Sequence, residues 1–401
     1  MTRILVISPS GEVYDHDNVR WYKHAQLENH INHYHNIGDA FVFDSSLKLL
    51  NFETLSELPI AHVDPAAIDR INAEYDYVFL RGSNYVHAQM NWSRTADVLR
   101  RLKIPVIAFG IGAQAPVSGK LELSEDSKTV LRLIADSTAS LGVRGAYSAQ
   151  VLNDLGIKNV RIIGCPTAFR ANRPDLAIRL PALEQVSQVG VTLRREVSKT
   201  YAQDIRRYLT FHRDLVKAMA ARFEVTLMAQ GEIEEKKLAL GSPAQKDEAF
   251  AALRQNEWAT TWYLDEAMED LYRSKMFYSD VVAEYEKLVR GLDLVLGYRL
   301  HGNLMALANG TPSIYFTYDS RTVEFADTFK IPSVDVFSGQ DFRLEEYWEQ
   351  ARFDRFNAAY ADVYSAMSAF LSENKVDHKM AGPVVAQEAT QEQAEPQRKV
   401  A

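Results

Sequence analysis

Arg299 and His301 sit two residues apart in the run Leu296-Gly297-Tyr298-Arg299-Leu300-His301-Gly302-Asn303. An arginine carries a permanent charge and a two-pronged fork for phosphate or carboxylate. A histidine exchanges a proton near neutral pH. The segment from Leu292 to Pro312 reads as a buried strand, a short loop and a helix closed by Gly310, a residue suited to a left-handed C-cap. Arg299 and His301 thus fall between a strand end and a helix start, where backbone N–H groups and the helix dipole favour an anion. The same spacing also suits a structural salt bridge for Arg299 and a capping role for His301. On these residues alone both readings stand.

The elements that must hold this loop form a long series. Short apolar runs alternate with helical patterns, the mark of parallel sheets with crossover helices. The first half predicts strands over 3–8, 77–80, 105–109, 140–143 and 160–163, several ending in glycine or small polar residues. Ligand groups gather beyond such strand ends. Composition changes at Asn172-Arg173-Pro174-Asp175, with Pro181 close behind, and a second series follows over 190–193, 224–228, 276–278, 293–296 and 313–316. The polar stretch 231–274 reads as helices and loops. The expected division is a Rossmann-like domain over 1–175, a second over 186–345 and a helical segment over 346–375. A tail over 377–401, poor in large apolar residues, is expected to be disordered.

Composition narrows the classes of function. At 401 residues, 47% hydrophobic and 24% charged, the chain has enough apolar content for two cores. A formal net charge of −8 without a basic stripe argues against a nucleic-acid partner. No stretch approaches the roughly 20 apolar residues of a membrane span. The single cysteine, Cys165, excludes an intrachain disulfide and suits a cytoplasmic location.

The run from Gly297 to Arg321 resembles the C-terminal signature of the polysaccharide pyruvyl transferase family: Arg-x-His, a small-residue helix and Gly310-Thr311-Pro312. Asn36-Ile37-Gly38-Asp39 resembles the family's early Gly-Asp turn, and Gly110-Ile111-Gly112 its mid-domain glycine loop. Val143-Arg144, Ser148, Leu152, Gly156 and the Gly164-Cys165-Pro166-Thr167 turn resemble its next run. The ordered set is more specific than any member of it.

The resemblance implies an α/β fold of two Rossmann-like domains facing across a cleft, as in GT-B glycosyltransferases. It implies phosphoenolpyruvate as donor substrate, with no further cofactor, and a sugar diol of a polysaccharide or lipid-linked oligosaccharide as acceptor. The two are joined as a pyruvate ketal with release of phosphate, which leaves peripheral association with the inner membrane face open. His301 is the implied proton carrier. Arg194 and Arg299 are the implied donor-binding residues, and Arg321 is a third candidate from its place in Tyr318-Asp319-Ser320-Arg321. The loop Arg81-Gly82-Ser83-Asn84-Tyr85 departs from the glycine-only turn of many relatives, so their sugar specificity does not transfer. Asn84 and Tyr85 are candidates to hydrogen-bond and stack on a sugar ring. Asp39 reads most simply as an N-cap, with an acceptor-side role as its alternative.

Two other functions share the pattern: a glycosyltransferase using a nucleotide sugar, and a non-catalytic carbohydrate-binding protein. Against the first, no clear acidic pair is placed to grip a ribose. Against the second, a binding protein needs no proton carrier beside an anion-binding arginine. His30, His33 and His35 lie close together, but no cysteine or well-spaced carboxylate completes a ligand set, so no metal is expected. The glycine loop lacks the third glycine of a dinucleotide fingerprint. Arg144 is read as structural, and Cys165 as inert packing.

Overall fold

Short apolar strands cannot bury both faces alone, and in each half of the chain they assemble into a parallel sheet covered by helices. The computed structural model describes residues 2–8, 12–15, 18–21, 31–32, 34, 36–59, 63–90 and 92–381. The first sheet runs in the order Thr54–Pro59, Arg3–Ser8, Tyr77–Leu80, Val106–Ala108, all parallel. A parallel pair, Leu141–Val143 with Val160–Ile162, extends it through a bridge between Ile111 and Val143. The second sheet runs Met276–Phe277, Glu224–Met228, Gln188–Thr192, Leu294–Gly297, Ser313–Thr317, Ser333–Asp335. By chain position that order is 3-2-1-4-5-6, the doubly wound Rossmann order. Two Rossmann-like sheets therefore face each other across a cleft, the GT-B-like arrangement expected.

The central strands Gln188–Thr192 and Leu294–Gly297 are buried on both faces apart from the exposed Gln188, which is why the sequence shows them clearly. Thr54–Pro59 and Ser333–Asp335, which the apolar runs do not predict, are edge strands. An edge is partly exposed and tolerates polar residues and proline, so its sequence carries little hydrophobic signal.

The helix Leu300–Ala308 is buried along its whole length. It ends as the sequence predicts. Gly310 has φ 87°, its N–H donates to Leu307 O at 3.0 Å, and the Thr311 N–H donates to Ala306 O at 3.0 Å. These are the paired bonds of a Schellman motif. Arg170 ties the halves together, its guanidinium 2.8 Å from the Asp44 carboxylate in the first domain and also paired with Glu286 in the second. The long helix Gln350–Glu373 packs back on the first domain through Arg161 and Glu373, at 2.6 Å.

One boundary needs correction. The segment expected to be disordered from Asp377 is docked through its first residues. The Asn51 N–H donates to Asp377 O at 3.0 Å, the Lys379 N–H to Leu49 O at 2.8 Å, and Met380 is buried. The segment's polar composition hides this, because one buried methionine and backbone pairing suffice to anchor it. Ending the chain at Val376, compared with ending it at Ala381, is expected to lower Tm by roughly 4–8 °C. That corresponds to about 2 kcal/mol for the lost methionine burial and backbone bonds. Equal melting temperatures for the two truncations would show that this docking contributes nothing.

Candidate active site

In a doubly wound sheet the ligand crevice opens where the strand order reverses, beside the first strand. In the second domain that point lies between Gln188–Thr192 and Leu294–Gly297, and Arg194 and Arg299 follow those two strands. In the first domain it lies between Arg3–Ser8 and Tyr77–Leu80, and Arg81 follows the latter. The two crevices meet in one cleft lined by residues of both domains.

The loop carrying Arg299 is held by a small polar net. Gly297 has φ 134°, and a Cβ there would lie 2.5 Å from Thr192 O, so only glycine fits. Thr192 Oγ1 accepts from the Arg299 N–H at 3.1 Å and donates to Asn303 Oδ1 at 3.1 Å, while Asn303 Nδ2 donates to Gly297 O at 3.0 Å. The Arg299 side chain donates from Nε to Leu193 O at 2.7 Å and from Nη2 to the Glu232 carboxylate. Its buried Nη1 has no hydrogen-bond partner among the described residues. The structural reading of Arg299 is therefore met by Glu232, and one edge of the guanidinium is left unpaired among the described residues. The N-cap position of this helix is Arg299, whose side chain makes no cap bond, and the polar contact of His301 among the described residues is to Cys165.

His301 is buried, with Nδ1 3.7 Å from Cys165 Sγ and its ring edge-on to Phe325 at 6.1 Å. Burial pushes its pKa well below the usual histidine value, and the charges of Arg144, Arg321, Arg81 and Arg299 push the same way. The imidazole therefore rests neutral.

Arg194 lies 5.9 Å from the Tyr318 ring centroid, and its carbonyl accepts from Tyr208 Oη at 2.7 Å. Arg321 donates to Tyr318 Oη at 2.9 Å and to Asp319 Oδ2 at 3.2 Å. On the facing wall Asn36, not Asp39, caps the helix Ile37–Leu49, its Oδ1 accepting from the Gly38 N–H at 3.1 Å. The N-cap expectation for Asp39 fails by three residues, because asparagine caps as well as aspartate does. Asp39 instead lines the cleft, 3.3 Å from the Arg81 guanidinium. Asn84 also lines it. Tyr85 does not take the place predicted for it: it is buried, edge-on to Trp92 at 5.0 Å, in the core of the first domain. Its ring is taken up by that packing, so Asn84 and Tyr85 do not share one role.

Arg144, read from sequence as structural, also lines the cleft. Its Nε donates to Gly110 O at 3.1 Å, and its guanidinium lies 5.1 Å from the Phe325 ring centroid. A Cβ on Gly112 would lie 2.6 Å from Arg144 Cδ, so the glycine loop makes room for this arginine. The Val143-Arg144 motif at a strand end was the signal available for it. Glu232 had none, standing in a polar stretch whose fold brings it against Arg299.

Arg144, Arg194, Arg299 and Arg321 thus share one cleft. Glu232 and Asp319 pair with the last two. Arg144 and Arg194 have no carboxylate within ion-pair distance among the described residues. Cationic side chains drawn together without carboxylate partners are costly, so the cleft concentrates uncompensated positive charge. The cluster of His30, His33 and His35 lies outside the described residues. Among the described residues no group of three or more histidine, cysteine, aspartate or glutamate side chains is arranged to hold a metal, and no helix is long and apolar enough to cross a membrane.

Facing Rossmann crevices, an arginine-lined cleft and a neutral buried histidine define a two-domain α/β protein with a cationic cleft between its domains. The chain belongs to the polysaccharide pyruvyl transferase family, whose model matches residues 16–320. No curated protein matches it at the sequence level. Among solved structures it is similar to the UDP-GlcNAc 2-epimerase of Methanocaldococcus jannaschii, with 10% identity over 95% of both chains and a TM-score of 0.39. It is also similar to a trehalose-6-phosphate synthase, with 12% identity over 94% of this chain and 100% of that one and a TM-score of 0.40. Likeness at this level says nothing about substrate.

Proposed function

We propose that the protein transfers pyruvate from phosphoenolpyruvate to two hydroxyls of one sugar, forming a ketal on a polysaccharide or its lipid-linked precursor. The methylene carbon of the donor takes a proton. Its C2 gains bonds to two sugar oxygens, and the bond from C2 to the phosphate oxygen breaks. Of the two protons the hydroxyls lose, one ends on the methyl group and the other leaves with phosphate.

The observation that carries this reading is the set of four arginines around a neutral His301, two of them without carboxylate partners. Phosphoenolpyruvate brings a carboxylate and a phosphate, close to three negative charges, which suits Arg194 and Arg144 together with the open edges of Arg299 and Arg321. Those charges also cancel the field that depresses the His301 pKa. Donor binding therefore raises the proton affinity of the imidazole and readies it to exchange protons with hydroxyl and methylene. Asp39 and Asn84 stand on the acceptor side. A lipid-linked acceptor would bring the protein to the inner face of the membrane.

The test is phosphate release from phosphoenolpyruvate with a panel of aryl glycosides, paired with mass analysis of the sugar. The expected product gains the mass of one pyruvate less one water. Transfer from a nucleotide sugar, with no phosphate release from phosphoenolpyruvate, would replace this reading with that of a glycosyltransferase.

A further inference from the structure

We propose that Gln114 is a positioning residue that fixes the Asn84 side-chain amide, so that Asn84 offers the cleft a hydrogen-bond acceptor for one hydroxyl of the acceptor sugar. The inference rests on the pyruvyl-transfer reading and identifies the group that selects the sugar. Gln114 ends the glycine loop Gly110-Ile111-Gly112-Ala113-Gln114, which lacks the third glycine of a dinucleotide fingerprint.

A one-way chain of hydrogen bonds crosses between the domains at this residue. Asp319 Oδ1 accepts from the Thr322 N–H at 2.8 Å, and its Oδ2 accepts from Arg321 Nη2 at 3.2 Å and from Gln114 Nε2 at 3.0 Å. Gln114 Oε1 in turn accepts from Asn84 Nδ2 at 2.6 Å. Asn84 Oδ1 is itself buried and has no hydrogen-bond partner among the described residues, an unmet acceptor on a residue that lines the cleft.

The direction of this chain is dictated by chemistry. An ion-paired carboxylate only accepts. Gln114 must therefore turn its NH₂ toward Asp319 and its carbonyl toward Asn84. Asn84 must then spend its NH₂ on that carbonyl, leaving its own carbonyl free. Gln114 cannot swing away, because it is buried and its N–H donates to Val86 O at 3.0 Å. The next residue is also tied to the second domain, the Ala115 N–H donating to Ser320 Oγ at 3.0 Å. A neutral carbonyl in a cleft lined with arginines attracts an O–H donor and repels phosphate and carboxylate. It marks where the sugar lies, and it leaves the anionic donor to the arginines.

The experiment compares wild type with Asn84→Ala and Gln114→Leu, measuring KM separately for phosphoenolpyruvate and for the best glycoside of the panel, with Tm on the same preparations. Both variants are expected to raise the sugar KM roughly ten-fold, the worth of one neutral hydrogen bond, and to leave the donor KM within about two-fold of wild type. The double variant should be no worse than Asn84→Ala alone. One member of a series of singly deoxygenated glycosides should bind wild type and both variants equally, because it lacks the hydroxyl concerned. An unchanged sugar KM in Gln114→Leu, or equal rises in both KM values, overturns the inference and leaves pyruvyl transfer standing. A wild type that releases no phosphate with any sugar overturns both.

Discussion

His301→Gln is expected to lower turnover by roughly 10²–10⁴ while donor affinity stays within a few-fold. Glutamine is of similar reach and hydrogen-bonds, but it cannot take up and return a proton. The wild-type imidazole rests neutral because burial and four arginines depress its pKa, so the substitution removes no charge from the cleft. Among the described residues the ring approaches Cys165 through Nδ1 and Phe325 edge-on, so Tm should move little. The pH dependence follows from the same sign. Above the depressed pKa the free enzyme already holds the neutral form, so this residue should cause no loss of kcat/KM as pH falls from 8 to the ordinary histidine value near 6.5. The acid limb belongs below that. Turnover, donor affinity and Tm measured on one preparation separate the alternatives. An active but destabilised variant would remove His301 from the chemistry.

Arg194 and Arg299 are expected to behave alike toward the donor and oppositely toward stability. Each loss of a charged contact to phosphoenolpyruvate should weaken binding by roughly ten- to a hundred-fold. Arg194→Met leaves no carboxylate stranded, since none lies within ion-pair distance among the described residues, and Tm should hold. Arg299→Met abandons a Glu232 side chain that is buried. It should cost about 3–5 kcal/mol, the usual consequence of breaking a buried pair from one side. Adding Glu232→Leu should recover most of that stability and none of the donor affinity. Arg299→Lys keeps the charge but loses the fork and the bond to Leu193 O, so it should bind the donor more weakly than wild type. Calorimetric titration with phosphoenolpyruvate and thermal unfolding on each variant check these outcomes. If Arg299→Met were as stable as wild type, Glu232 would be neutral and the pair would not hold this loop in place.

Much of this architecture was legible in the residues alone. The strands Arg3–Ser8, Tyr77–Leu80 and Glu224–Met228 have the predicted bounds, because the residues each one buries are apolar and stand out from polar flanks. The strand, loop and helix around Arg299 and His301 were equally plain, down to the left-handed Gly310, because turn and cap chemistry is local. What only the tertiary structure decided is which side chains meet. Arg299 and Glu232 are 67 residues apart in the chain, and Gln114 and Asp319 are 205 apart. No periodicity carries such information. Asn84 and Tyr85 are neighbours of similar promise in sequence, and the packing of Tyr85 on Trp92 sends only one of them to the cleft. Arg144 read as a brace until its place beside His301 made it one of the charges that set the state of that histidine. Local sequence determines backbone conformation through propensity and burial pattern. Charge pairing and proton affinity depend on neighbours brought together by topology, so they become readable only once the two switch points face each other.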